Sequence, residues 1–232
     1  MALATTGVGR SVWCVQFRQE NDGIAFGSGA QVDDLFTADC TIECWFSVPS
    51  YPAGATYLLT KNDGADTAGW RLGIDATGSL FFAAFFAGDD IALNSGAVKA
   101  AIGKWYHAAV DFDVGTLTAR LFLGGALVST SVATLAYLTD AAQNLICNGV
   151  IAVGTVDDYL SIGPIRLSDV RLYTGASINP PTMNNWPAND ANAQLLIPMN
   201  DGAGVTATDY SGNGYNGTIT FGASTRWYHG PA

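Results

Sequence analysis

Residues 103–130, GKWYHAAVDFDVGTLTARLFLGGALVST, alternate apolar with polar or small positions between two glycine-marked breaks. That period of two is the signature of half-buried strands joined by tight turns. In the first arm Tyr106, Ala108, Val110 and Phe112 share one face, and Trp105, His107, Ala109 and Asp111 share the other. In the second, Leu117, Ala119, Leu121 and Leu123 oppose Thr118, Arg120 and Phe122. The pattern predicts a β-meander. Residues 41–48 alternate in the same way, with Ile42, Cys44, Phe46 and Val48 against Thr41, Glu43, Trp45 and Ser47, before Pro49, Pro52 and Gly54 end the strand.

Further strands are predicted at 12–17 and 24–26, paired around the turn Glu20-Asn21-Asp22-Gly23, and at 57–60, 70–75, 150–153, 159–162, 169–173, 194–199 and 217–221. The period of residues 135–143 is unclear, and Pro180, Pro181 and Pro187 keep the later connection irregular, with at most one helical turn near 182–186. Residues 79–86, SLFFAAFF, place Phe81 and Phe85 on one face and Phe82 and Phe86 on the other. A strand in a two-layer sandwich shows one face to water, so four phenylalanines on two faces imply a covering loop, a curled sheet or a partner.

Four segments carry a family resemblance. W-Y-H-A-A-V-D-F-D followed by L-T-A-R-L-F-L-G-G resembles the "W-x-H-V-A-V-x-x-D … L-Y-V-N-G" core of laminin G-like domains, in the concanavalin A-like jelly-roll group. TIECWFSV is similar to that family's "FTIEAWV" strand, IGPIRLSDVRLYTGA to its "D-D-V-R-I-Y" strand, and NDGAGVTATDYSGNGYNGTI to its "D-x-S-G-N-G-x-x-G-T" segment. The resemblance implies an all-β, two-sheet antiparallel sandwich with little helix, with Trp45, Phe46, Tyr106, Phe112, Leu121 and Val170 in or beside its core. The D-x-S-G-N-G segment commonly opens such a domain, yet here it lies near the end. One sandwich closed by strand 217–221 pairing near 12–17 accounts for this, because a truncated second repeat would have too few residues to bury a core. The organisation expected is an arm at residues 1–11, one jelly-roll domain over 12–222 and a tail at 223–232.

Composition narrows the partners. A net charge of -10 with only ten Lys and Arg argues against nucleic acid, which needs clustered cations. Charged residues make up 13%, about half the usual share, and no apolar run of about 18 residues offers a membrane span. The low charge is explained by a surface covered by neighbours, in a homo-oligomer or a larger shell, or by a Gly, Ala and Thr-rich surface that is merely neutral. The first residues lack a secretory signal pattern. Cys14, Cys40, Cys44 and Cys147 follow no metal spacing and read as thiols, although Cys14 could pair across strands with Cys44 or Cys147.

No catalytic residues and no cofactor are expected. The chain has two glutamates, Glu20 and Glu43, and no E-x-D-x-E strand of the glycosidases in the same group. The nearest aspartate pairs, Asp111 with Asp113 and Asp89 with Asp90, include turn positions, and His107 matches a packing position of the family. The resemblance raises a calcium site at Asp209 with Asp22 and Asp169, but Ser168 stands where the family has a second aspartate, so no metal site is assigned. Around the long loop 61–69, Asn62, Asp63, Asp66 and Trp70 could bind a glycan, the carboxylates and amide taking hydroxyls and the indole stacking on a sugar face; Trp70, at a strand start, reads more readily as core. By analogy with isolated jelly-roll proteins, the function expected is a phage virion component, a capsid decoration or tail-associated protein located in the virion and acting through protein contacts. The alternative is a lectin-like module for a surface glycan.

Overall fold

A computed structural model describes residues 13–17, 22–62, 65–141, 143–147, 160–183, 186, 190–220 and 226–230. Two antiparallel sheets face each other across one apolar core. The first runs in spatial order β10 (Ala126–Val132), β9 (Thr118–Leu123), β8 (Trp105–Asp113), β3 (Cys40–Ser47), β12 (Leu160–Ser168), β1 (Trp13–Phe17) and β16 (Arg226–His229), with β13 (Ala193–Ile197) pairing the far half of β12. The second runs β14 (Thr206–Ala207), β15 (Gly217–Thr220), β2 (Gly23–Gly27), β11 (Leu145–Cys147), β4 (Thr56–Asn62), β5 (Gly69–Ile74), β6 (Ser79–Ala84) and β7 (Ile91–Lys99). Helix among the described residues is one turn, α1 (Ala30–Asp33), and a 3-10 turn at Leu35–Thr37. This is the two-layer all-β sandwich that the family resemblance implies, built on the strands that the alternation predicts.

The predicted inward faces hold. Ile42, Cys44 and Phe46 of β3, Ala108, Val110 and Phe112 of β8, and Ala119, Leu121 and Leu123 of β9 all sit in the core. Full burial of such a side chain contributes about 1.5–3 kcal/mol each. Tyr106 packs at the core's margin, while Trp45 lies half-buried on the opposite face of its sheet and Val170 half-buried beyond β12. Pro164, in the middle of β12, falls where the register with β3 shifts between Ile162 and Ile165, the irregular position at which a residue without an N–H donor is tolerated.

Four expectations are corrected. Residues 12–17 and 24–26 do not pair: β1 and β2 belong to different sheets. Strand 217–221 does not close on β1. Instead β15 pairs β2, where Ile219 adds to the core beside Ile24, and β1 takes β16, from the segment expected as a tail, with Trp13 opposite His229. Trp227 anchors that later strand by packing on the core and donating its indole N–H to the Gly204 carbonyl. Residues 169–173 are not a strand, because Arg171 and Tyr173 turn back over the first sheet to reach acids there. Strand 79–86 stops at Ala84; Phe85 and Phe86 lie on the stretch that follows, where residues 136–138 pair with it through Ala87 N–H to Ala136 O and Leu138 N–H to Phe85 O. Tyr137 of that loop packs on Phe86 in the core, and the other face is met by Tyr57, edge-on to Phe81, and by Arg71 over Phe85. The arm at 1–11 and the strand at 150–153 lie outside the described residues.

Candidate functional site

The loop after β4 brings part of the expected glycan set together. Asn62 Nδ2 donates to Asp66 Oδ1 at 3.0 Å, and Arg71 reaches the same oxygen at 2.6 Å. Asp66 has a φ of 60°, a left-handed conformation held by these two partners. Asp63 lies outside the described residues. Trp70 is a correction: it is fully buried in the core, edge-on to Phe36, and presents no ring to a ligand. It alternates with Arg71 on β5, so the neighbour that does face outward is the cation. The Arg71 guanidinium sits 5.7 Å from the Tyr57 ring and 5.6 Å from the Phe85 ring, and Phe81, half-buried, adjoins Tyr57. Sequence reasoning missed Arg71, Tyr57 and Phe81, although the alternation that marks Trp70 as inward marks Arg71 as outward.

Lys61, expected to open this polar loop, is also buried. Its ammonium pairs with Asp33 at 2.7 Å and donates to the Gln143 carbonyl, tying β4 to α1 and to the segment before β11. The lysine is a structural cation.

Glu43 points away from the core, as its register requires, yet it is fully buried. Residues 169–183 with Trp186 and Asp190 pack over this face of the first sheet. Glu43 accepts from His107 Nε2 at 2.7 Å, from the Arg166 guanidinium and from the Tyr173 hydroxyl, and Arg166 continues to Asp190 at 3.0 Å. Burial pushes the Glu43 carboxyl up, but these three donors outweigh it and hold its pKa below the ordinary value. Burial and the adjacent Glu43 charge raise the Tyr173 phenol. An acid already taken by three partners has neither the access nor the proton for general acid chemistry. A second knot lies beside it: Arg171 bridges Asp111 at 2.9 Å and Asp113, Arg120 adds to Asp111, and Thr41 binds the Val170 carbonyl. Burial raises the Asp111 pKa despite Arg171. Both knots fasten the crossing segment to the sheet. Asp89 and Asp90 likewise serve backbone, accepting from Thr134 and Phe86.

Residues 18–177, more than half of the chain, match the laminin G-like profile of the concanavalin A-like lectin/glucanases superfamily. The chain belongs to that superfamily. No curated protein matches it. Among solved structures it resembles a candidate carbohydrate-binding protein from Bacteroides ovatus, at 13% identity and a TM-score of 0.65 over 96% of this chain and 61% of that one. It also resembles the botulinum neurotoxin serotype D binding domain, at 12% identity and 0.51 over 68% and 44%, and a Trypanosoma rangeli sialidase, at 16% and 0.51 over 71% and 26%. The chain thus spans about three fifths of the Bacteroides ovatus protein, and at these identities the likeness extends to the fold. The neighbours include both binding domains and an enzyme.

The calcium site that this concanavalin A-like family implies does not fit the residues present. Asp209 is saturated by its own turn and by β13, accepting from the Leu196, Ser211 and Tyr215 N–H groups and the Ser211 hydroxyl. Asn213 donates to the Gln194 carbonyl, so the S-G-N-G turn is latched onto β13. Asp169 is taken by Gln194, Asp22 is buried at the start of β2 in the other sheet, and Ser168 donates to the Asn192 carbonyl. Among the described residues no three His, Cys, Asp or Glu side chains cluster as a metal set.

Proposed function

We propose that this domain is a non-catalytic interaction module that works in an assembly through protein contacts, as a virion component of the decoration or tail-associated kind, in a homo-oligomer or beside other subunits. The observation that supports it is a surface poor in charge and rich in outward aliphatic groups: Val98, Ile102, Val114, Val132, Leu135, Leu138 and Val205 are all exposed on a chain with 13% charged residues. The sealing of Glu43 supports the non-catalytic part. The test is retention of particles from the source by immobilised protein, with light scattering for the mass in solution. Retention or a defined oligomer supports the reading; a monomer that ignores particles overturns it.

A second reading, a lectin-like module, is favoured by the Asn62, Asp66 and Arg71 group beside Phe81, where planar donors and acceptors adjoin a partly exposed ring. A glycan array read with wild type and Arg71→Ala tests it, a hit lost in the variant supporting this site. The Bacteroides ovatus neighbour adds only the precedent of a shared fold.

A further inference from the structure

One end of the sandwich joins an apolar strip to an acidic rim. After β10 the chain buries Ala133 and Tyr137 and turns Val132, Leu135 and Leu138 outward, with Val132 56% and Leu135 46% exposed. This strip runs along residues 85–90: Thr134 binds Asp89, Ala87 N–H donates to Ala136 O, and Leu138 N–H donates to Phe85 O. Ala133 N–H reaches Leu117 O, which sets the β8–β9 turn and its exposed Val114 beside Val132. Val114 N–H in turn donates to Asp39. Residues 34–39, 86–90, 114–117 and 132–141, which build this end, carry exposed Asp34 and Asp90, half-buried Asp39 and Asp89, buried Asp140, and not one Lys or Arg. The basic groups that reach adjoining residues, Lys61, Arg71 and Arg171, are already paired, with Asp33, with Asp66, and with Asp111 and Asp113.

We propose that Val114, Val132, Leu135 and Leu138 form a docking surface for a basic, aliphatic-bearing polypeptide segment of a partner protein. The inference rests on the assembly reading above and names the chemistry of its partner. The aliphatic groups supply the area that a contact removes from water, and the aspartates around them select a cationic segment and speed its encounter. A second copy of this chain fits less well, because two bodies of charge -10 repel and this end offers no cation to answer its own aspartates.

The probe is a fluorescent peptide alternating Lys with Leu and Val, read by anisotropy, with a Lys and Ser peptide and a Glu, Leu and Val peptide as comparisons. Binding of the first alone, weakened by raising salt from about 50 mM to about 500 mM, is expected. Leu135→Ser with Leu138→Ser should weaken it about tenfold, a difference of about 1.4 kcal/mol. Both side chains are exposed, so the fold should survive; Asp34→Asn is a second variant, expected to flatten the salt dependence. Equal binding of the Lys and Ser peptide, or affinity unchanged in the leucine variant, overturns the surface, and a dimer abolished by Leu135→Ser overturns the occupant in favour of self-association. If particles are retained equally by the leucine variant, this inference fails while the assembly reading stands; if particles are ignored but the peptide binds as described, the reverse holds.

Discussion

Glu43 and His107 meet diagonally across two strands. Glu43 is paired with Ala109 and His107 with Trp45, so the carboxylate and the imidazole reach each other at 2.7 Å from adjacent registers on the outer face of the sheet. Arg166 is directly opposite Glu43 on the other side, and the carboxylate is therefore the shared anion of three strands and, through Tyr173, of the segment that covers them.

Replacing that anion should be costly. Glu43→Gln leaves Arg166 with Asp190 as its one ion-pair partner and turns one of the two oxygens that three donors share into a donor, and breaking a buried pair costs about 3–5 kcal/mol. Urea unfolding followed by tryptophan fluorescence should show the midpoint falling by a corresponding amount at unchanged slope. A loss under about 1 kcal/mol would mean that the cluster is not closed in solution.

The same group sets an acid limit. Its pKa is held below the ordinary value in the folded state, so its contribution is fully present above about pH 4.5 and is lost as pH falls through the lower folded value. Asp111 acts with the opposite sign, since burial raises its folded pKa and the fold gains as it protonates. Acid titration should therefore show little loss down to about pH 4.5 and a steep loss below it. The Glu43→Gln variant should lack the steep limb; if it keeps it, another carboxylate is responsible.

The cysteines should be silent in the native state. All four are buried, none is in a disulfide, burial pushes the Cys14 thiol up to about 12, and Cys40 and Cys44 are raised as well. Ellman's reagent should titrate none of them in native protein and all four in guanidinium. Fast reaction of one thiol without denaturant would place it at the surface.

Trp70 and Arg71, neighbours on β5, should separate stability from recognition. Trp70→Ala opens a core cavity and should cost about 3–5 kcal/mol. Arg71→Ala removes a part-exposed ion pair and should cost about 1 kcal/mol or less. Thermal melts of the two variants decide the matter, and near-equal losses would contradict the alternation assigned to this strand.

The sandwich is legible through the family motifs, and the inward faces of β3, β8 and β9 because alternation is a local property: each residue's face follows from its neighbours in the chain. What is not legible is who lies across from whom. Residues 12–17 and 24–26 read as a hairpin because their spacing suits one, but whether such strands share a sheet depends on where the remaining apolar faces find area. From local pattern, Glu43 reads as an outward carboxylate, solvated or hydrogen-bonded, and Lys61 only as the start of a polar loop. Their burial is produced by Asp33, by Arg166 and by Tyr173, partners 28, 123 and 130 residues away that no local window contains. Arg71, beside Trp70 on β5, is legible as outward from the same alternation that marks the tryptophan as inward.

The pairing of Trp13 with His229 has a kinetic meaning. β1 holds one flank of the first sheet and finds its outer neighbour only in β16, 216 residues further along the chain from Trp13 to His229. Until residues 226–229 arrive, its open edge and the unfinished margin near Trp227 stay exposed, and the loop that must close is the long one between Trp13 and His229. Folding should thus end, rather than begin, with this strand pair, and nascent chains halted short of residue 226 should be the ones most prone to associate through an unpaired edge.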